Sequence, residues 1–262
     1  MSFFRHSVFV ALRHFRAWTR QRGYVAFALA QPVIWLLLYG QLFRRVVALP
    51  GLPASSYITF LTPGVVMMTA LFAGGWSGSA ILAEIQGGVM DRFLVSPVNR
   101  GALIAGRLLS VGVVCTVQSL ILVGFGLILG ARLEGGALGM AALLASAILL
   151  STVFGALSNA VALAARKRES VIGAANFILL LLTFLSPVYL APVYLARDLM
   201  PDWIRLVTRF NPVSWSVEAA REALTPHADW DFVLWRIGYL LLFAMVSGWV
   251  ACRAFRAYQN SA

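Results

Sequence analysis

The chain alternates long apolar runs with short stretches that hold most of its charged residues. Six of these runs approach or exceed the roughly 20 residues that a helix needs to cross the hydrocarbon core of a bilayer. They cover approximately 24–43, 58–82, 103–129, 138–165, 171–190 and 232–252. The pattern therefore predicts an all-α membrane protein with six transmembrane helices.

Residues 1–23 follow a different pattern. Between Phe4 and Arg22 the apolar side chains recur on one helical face, and arginines fill the adjoining face. This arrangement suits a helix that lies in the headgroup region with its arginines toward anionic lipid. A cleaved signal peptide is the alternative, but the apolar stretch before the cleavage-like site at 28–30 is too short for one. We therefore expect an N-terminal amphipathic interfacial helix.

The composition agrees with a single transmembrane domain that extends over 1–262. Hydrophobic residues make up 60% of the chain, charged residues make up 12%, and the mean hydropathy is +0.83. Soluble domains contain about 45–50% apolar and about 25% charged residues, so lipid must solvate much of this surface. The net charge of +11 comes largely from basic residues at the ends of the apolar runs. This placement favours contact with membrane lipid over a nucleic-acid partner.

The basic residues of the short connections predict the orientation. They are concentrated before the first run, between the second and third runs, after the fourth and after the last. The acidic residues are more common on the other side. Because cytoplasmic loops of membrane proteins carry an excess of Lys and Arg, we expect both ends of the chain in the cytoplasm.

The sequence offers no catalytic or metal-binding constellation. Its three histidines are scattered without a metal-ligand spacing. The only lysine, Lys167, follows an arginine, so no Gly-Lys-Ser/Thr loop can hold ATP. All ten acidic residues lie in connections or at the ends of runs, which disfavours an ion-coupled carrier with carboxylates at mid-membrane. We expect a chain that binds no cofactor, is not an enzyme by itself and takes its energy from elsewhere.

The segment 84–100, between the second and third runs, is too amphipathic for a simple turn. Ser96-Pro97 marks its end, because the residue before a proline disfavours helix. A short helix here would offer Phe93 and its charged neighbours to a soluble partner. A connector without a partner explains the same residues, and physics alone leaves both interpretations open.

Two motifs resemble those of type-2 ABC exporter permeases, the class that includes daunorubicin-resistance permeases. The first consists of Glu84, Gly88, Asp91, Arg92, Ser96, Pro97 and Arg100. The second lies before the last run and consists of Asn211, Pro212, Trp215, Glu218 and Arg221. The basic amphipathic start, the six runs and the long fifth connection extend the resemblance over nearly the whole chain.

The resemblance implies the transmembrane subunit of an ATP-driven exporter in the inner membrane of a bacterium. Two copies, or one copy and a close paralogue, would form the transmembrane unit, and each would dock a separately encoded ATPase that holds ATP and Mg. The residues that couple to the ATPase would be Glu84, Gly88, Asp91, Arg92, Phe93, Ser96, Pro97 and Arg100. The N-terminal helix would brace the same interface.

The resemblance also implies that 191–231 forms short re-entrant helices in the outer leaflet. Prolines break this segment, although it stays rich in apolar side chains. Non-helical backbone at membrane depth must be surrounded by protein or water, which supports the implied arrangement.

The expected activity is export of an amphipathic or hydrophobic substrate, such as a drug, a lipid or a lipid-linked glycan. The alternatives are a non-transporting assembly protein that binds a partner and an ion-coupled carrier. Asn176 in the fifth run could contact the substrate or the second copy, although a hydrogen bond to a neighbouring helix is the favoured interpretation. Gly124, Gly126 and Gly130 are expected to allow close packing between helices.

Overall fold

The computed structural model describes residues 3–20, 22–43, 57–88, 100–165, 168–186, 188 and 201–259. Within these ranges the chain forms helices and no strand. In chain order they are α1 (Phe3–Arg20), α2 (Arg22–Leu42), α3 (Tyr57–Gly75), α4 (Ser77–Gln86), α5 (Arg100–Ile128), α6 (Gly136–Ala165), α7 (Arg168–Phe184), α8 (Asp202–Phe210), α9 (Pro212–Ala223) and α10 (Trp230–Gln259). The all-α membrane fold expected from the apolar runs is confirmed.

Five stretches of the described helices are long and apolar enough to cross a membrane. They are Val25–Leu42, Tyr57–Gln86, Ile104–Ile128, Gly136–Ala165 and Trp230–Tyr258. The fifth predicted run gives a shorter apolar helix, Val171–Phe184, because α7 ends in a turn at 185–186. After this turn, residues 187, 189 and 190 of the predicted run lie outside the described residues. The count of six spans therefore stays a prediction.

The second span is two helices rather than one. It breaks at Trp76, between α3 and α4, and the hydroxyl of Ser158 on α6 bridges the break. This hydroxyl donates to the carbonyl of Gly75 and accepts from the N–H of Gly78 at 3.0 Å. A helix break inside a membrane must have its backbone groups satisfied by a neighbour. One serine on the facing helix therefore stabilises the break.

Glycines bring α3 and α4 against α6. A Cβ atom added at Gly74 would overlap the carbonyl of Ser151, and one added at Gly78 would overlap the carbonyl of Ser158. Small residues permit such close contact between membrane helices, which gain stability from packing and hydrogen bonds in the absence of water. The α3–α4 span is 78% buried over its most apolar window, against 17% for the spans of α2 and α10. It is the most buried of the five spans and packs against α2, α5, α6, α7 and α9.

Contacts between the described elements mark the two ends of the bundle. At one end α1 packs against α5, and a Cβ added at Gly106 would overlap the carbonyl of Ser7. At the other end the turn between α5 and α6 meets α3 and the end of α9, where the amides of Glu134 and Gly135 donate to Leu224. A helix, α1, covers Phe3–Arg20. That it is the expected amphipathic interfacial helix, and that this end faces the cytoplasm, stay predictions.

Candidate coupling site and translocation path

Most of the predicted coupling segment, 84–100, lies outside the described residues. This applies to Asp91, Arg92, Phe93, Ser96 and Pro97. Glu84 lies on the last full turn of α4, and Arg100 begins α5. Gly88 adopts a φ of 65°, and its N–H donates to the carbonyl of Ile85. This left-handed conformation favours glycine and ends the helix there.

The carboxylate of Glu84 ties together three elements of the chain. It accepts a hydrogen bond from Arg13 of α1 at 3.0 Å and pairs with Arg107 of α5 at 3.1 Å. His14 Nδ1 lies 3.7 Å from the same carboxylate. The side chain of Arg107 is 7% exposed and that of Arg13 is 44% exposed. Since a buried guanidinium requires a partner, the Glu84 carboxylate stabilises Arg107 where α1, α4 and α5 meet.

His14 is uncharged in this cluster at neutral pH. Burial, and then the positive charges of Arg107 and Arg13, lower its pKa from 6.5 to about 4. The cluster therefore combines one carboxylate with two guanidinium groups and a neutral imidazole. We name Arg13, His14, Glu84 and Arg107 the Glu84 cluster.

The second motif lies at the opposite end of the bundle, where its five residues occupy α9 and the position just before it. Asn211 is 2% exposed, and its Nδ2 donates to the carbonyls of Leu182 (2.9 Å) and Leu185 (2.8 Å) at the end of α7. Its Oδ1 accepts from the N–H of Val213 at 2.9 Å. One side chain thus caps the start of α9 and the end of α7, whose last carbonyls have no helical partner. Pro212 follows at the first position of α9, where a proline is well tolerated.

The other three residues of the motif link α9 to its neighbours. Trp215 donates to the carbonyl of Arg209 at 2.7 Å, and Glu218 pairs with Arg236 of α10 at 2.6 Å. Arg221 donates to the carbonyls of Phe60 (3.1 Å) and Val188 (3.0 Å), and its guanidinium carbon lies 3.4 Å from the centre of the Phe60 ring. These contacts connect α9 to α3, α8 and α10. The motif stabilises the packing at this end of the bundle. Two of the helices that it connects, α8 and α9, belong to the predicted re-entrant segment 191–231.

Asn176 is exposed on α7 and has no hydrogen-bond partner among the described residues. The favoured expectation of a hydrogen bond to a neighbouring helix therefore finds no partner in the described part of the chain and stays a prediction. The side chain instead lines a cavity of about 1080 Å³ between α2, α3, α4, α5 and α7. This position leaves it available to a ligand or to a second copy.

Four residues with contacts at these two sites were not predicted from the sequence: Arg13, His14, Arg107 and Gly64. Arg107 carried a usable signal, because a charged residue inside an apolar run calls for a partner in the bundle. Gly64 carried none. A Cβ there would lie 2.7 Å from the carbonyl of Val188 and 3.1 Å from Arg221, so its role depends on a contact between residues distant in the sequence.

Comparison with known proteins agrees with this architecture. The ABC-2 type transporter family matches residues 8–225. The daunorubicin resistance ABC transporter permease protein DrrB1 of Streptomyces coeruleorubidus is 30% identical over 236 residues, which cover 87% of this chain and 77% of that protein.

A second group of relatives consists of transport permeases named ycf38. The protein of Cyanophora paradoxa is 26% identical over 88% of this chain and 78% of its own length. That of Porphyra purpurea is 28% identical over 83% and 72%. The match to the family covers most of the chain and includes the Glu84 cluster and the second motif. This multi-pass membrane protein therefore belongs to the ABC-2 type transporter family.

Proposed function

We propose that the chain is the transmembrane subunit of an ATP-driven exporter that moves an amphipathic or hydrophobic substrate out of the cytoplasm or the inner leaflet. A separately encoded ABC ATPase supplies the energy and holds ATP and Mg. Residues 84–100 form the contact with that ATPase. The drug-resistance name of one relative and the permease names of the others support this assignment.

The observation that carries the proposal is the Glu84 cluster. Glu84 lies where the second span enters segment 84–100, and its carboxylate joins α4 to α1 and α5. A displacement of the segment by an ATPase would therefore move two spans and the N-terminal helix together. A connector without a partner needs no such bracing. The free energy for the conformational change comes from the difference between the affinities of the ATPase for two conformations of the permease.

A second copy completes the transmembrane unit in this proposal. The helices α2 and α7 present large apolar side chains to the surroundings, among them Phe27, Leu38, Phe177 and Phe184, which are 62–83% exposed. Together they offer an apolar surface to lipid and to a partner copy. Asn176 lies on the same helix as two of them and would face the substrate path or the partner.

The proposed orientation places both ends in the cytoplasm of a bacterium, with the chain in the inner membrane. Cysteine labelling of intact cells tests it. Substitutions at Ser55 and Asp229 should react with an impermeant reagent, while substitutions at Asn99 and Glu169 should be protected until the cells are lysed. Labelling of Asn99 in intact cells would contradict the orientation.

The proposed function is tested by purification and reconstitution of the chain. An ABC ATPase of the host should co-purify with it, and vesicles that contain both should move an amphipathic dye only when ATP is present. An ATPase whose Walker lysine is replaced serves as the matched control. Dye movement driven by an ion gradient without ATP would indicate a secondary carrier, and ATPase binding without any dye movement would indicate an assembly protein.

A further inference from the structure

The break in the second span coincides with a division of the apolar core. Among the described residues, one large cluster includes Leu71 of α3 and Phe154 of α6, and a second large cluster includes Ile81 of α4 and Ala160 of α6. The helices α5 and α10 also contribute to both clusters, each from a different part of its length. The half of the span before Trp76 therefore packs in one core, and the half after it packs in another.

Polar side chains lie beside the break, between α4 and α6. The hydroxyl of Ser77, at the start of α4, donates to Oδ1 of Asn159 on α6 at 3.2 Å. Asn159 is fully buried, and its Nδ2 has no hydrogen-bond partner among the described residues. Because an unpaired buried amide is costly, this arrangement is less stable than a fully bonded one. The free-energy cost of leaving it is correspondingly smaller.

Ser158 caps both halves of the broken span from the facing helix. Within the described structure Trp76, the residue before α4, forms no side-chain bond to the first turn of that helix, although this position commonly carries a capping oxygen. The Ser158 hydroxyl instead accepts from the N–H of Gly78, the second residue of α4, and donates to the carbonyl of Gly75 at the end of α3. A side chain inserted into the backbone bonds is a common cause of a helix kink. The angle between α3 and α4 therefore depends on one hydroxyl of α6.

The two faces of α4 have different neighbours. Ile81 and Leu82 are buried on the face that meets α6, where Gly78 also approaches the Ser158 carbonyl. Ala80 and Ala83 lie on the other face, are exposed, and line the cavity between α2, α3, α4, α5 and α7. The volume of this cavity is about 1080 Å³. The helix α4 therefore has space to move into on the side away from α6.

The far end of α4 carries Glu84, whose carboxylate is bonded to α1 and α5. From Ser77 to Glu84 the helix rises about 10 Å, so a change of about 15° at the break would move Glu84 by about 3 Å. The ends of α1 and α5 that are bonded to Glu84 would follow, whereas α3 would stay packed in its own cluster. Hinges in proteins absorb such a change in a few residues at the ends of elements.

We propose that residues 76–78 form a hinge in the second span and that Ser158 is the positioning residue that sets its angle. The helix α4 moves against α6 while α3 stays in place, so a displacement of segment 84–100 reaches the bundle as the rotation of one half of the span. The inference rests on the proposed coupling to an ATPase. It assigns a role to a serine of α6 that neither sequence motif includes.

Two pairs of spin labels measure the movement of each half of the span against α6. Gln86 and Ala165 lie at the ends of α4 and α6 that are close to the coupling segment, and Ile58 and Leu138 lie at the opposite ends of α3 and α6. All four side chains are exposed or half-buried. The labels are attached to cysteines introduced at these positions, in a chain whose two native cysteines are replaced by alanine. Paramagnetic resonance in nanodiscs, with labelled chain diluted by unlabelled chain, gives the two distance distributions.

Ser158→Ala should broaden the distribution of the 86–165 pair by about 3 Å, the displacement expected at the end of α4, and leave the 58–138 pair unchanged. Thr152→Val is the matched control, because it removes a hydroxyl of α6 that donates within its own helix, to the carbonyl of Ile148 at 2.7 Å. The control should change neither pair. If Ser158→Ala broadens both pairs equally, or neither, the hinge is overturned.

The chain with Ser158 in place tests the same proposal in the complex. Addition of the ABC ATPase that co-purifies with the chain, together with a non-hydrolysable ATP analogue, should shift the 86–165 distance by about 3 Å and leave the 58–138 distance unchanged. Equal shifts of both pairs would mean that the span tilts as one rod, and would overturn the hinge. Failure of any ATPase to bind would instead contradict the proposed function, and the comparison of Ser158→Ala with Thr152→Val in the chain alone would still decide the hinge.

Discussion

Replacement of Glu84 by Gln is expected to destabilise the chain before any partner is bound. The substitution keeps the size of the side chain and removes its charge. Arg107, whose side chain is 7% exposed and lies 3.1 Å from the carboxylate, then stays buried without a counter-charge. Loss of one partner from a buried ion pair costs about 3–5 kcal/mol. Because Glu84 itself is 22% exposed, we expect about 2–3 kcal/mol of destabilisation.

The exposed partner of the same carboxylate provides the control. Arg13 is 44% exposed, and an ion pair at such a site contributes about 0–1 kcal/mol. Arg13→Gln should therefore change stability much less than Glu84→Gln, although both break a contact to the same group. Removal of both charges in Glu84→Gln plus Arg107→Gln should restore part of the loss, because no unpaired charge then stays buried.

The assay is the apparent melting temperature of the detergent-solubilised chain, free of ATPase, followed by size-exclusion chromatography after heating. Destabilisation of this size corresponds to a decrease on the order of 5–10 °C for Glu84→Gln. If Glu84→Gln melts with the wild type and loses only its affinity for the ATPase, the carboxylate acts on the partner and the reasoning about the buried pair is wrong.

Three further predictions concern other contacts. Asn211→Ala should destabilise the chain by about 2–4 kcal/mol, because it removes a helix cap and leaves two carbonyls at the end of α7 unpaired. Thermal unfolding of the wild type and the variant measures the difference, and a change below about 1 kcal/mol would refute the prediction. Gly78→Ala should separate α4 from α6 and lower the melting temperature, whereas Gly173→Ala, which meets open space, should not; equal effects would argue against the close contact. The pKa of His14 is lower when α1 is packed against α5 than when it is free, so protonation of His14 favours release of α1. The packing of α1 is therefore most stable above pH 6.5 and weakens as the pH falls toward about 4. The yield of a disulfide between cysteines introduced into α1 and α5 should fall as the pH is lowered through that interval. His14→Gln should make this loss of yield smaller.

The sequence was sufficient for five of the six predicted spans, because the length of an apolar run indicates whether a helix can cross the bilayer. It was not sufficient for the break at Trp76. That break depends on the hydroxyl of Ser158, which lies 83 residues from Gly75 in the chain. Length and hydropathy carry no information about such a partner.

Spacing alone also did not determine which glycines contact another helix. Of the three expected to allow close packing, Gly126 lies against Thr62, where a Cβ would approach to 2.6 Å. Gly124 meets open space, and Gly130 has a φ of 94° in the turn after α5. A glycine allows close approach, but the neighbouring helix determines whether the approach occurs.

The candidate sites were found from the sequence to different extents. The family motif drew attention to Glu84 and the residues 211–221, although not to their contacts within the chain, and their functional roles stay predictions. The Asn-Pro pair at 211–212 contained a readable local signal, because these residue types suit the cap and first position of a helix.

The assignment of residues 84–100 as the coupling site is tested by ATP-driven transport in vesicles that contain the chain and its ATPase, with Asp91→Ala and Arg92→Ala introduced together. An acid–base pair on α8, Asp202 and Arg205, lies at the opposite end of the bundle and is half to almost fully exposed, so its double replacement by alanine is the matched control. We predict that the first double variant inserts normally but loses ATPase binding or uncouples hydrolysis from transport, and that the control transports like the wild type. Normal ATPase binding and transport by the first double variant would contradict the assignment of residues 84–100 as the coupling site.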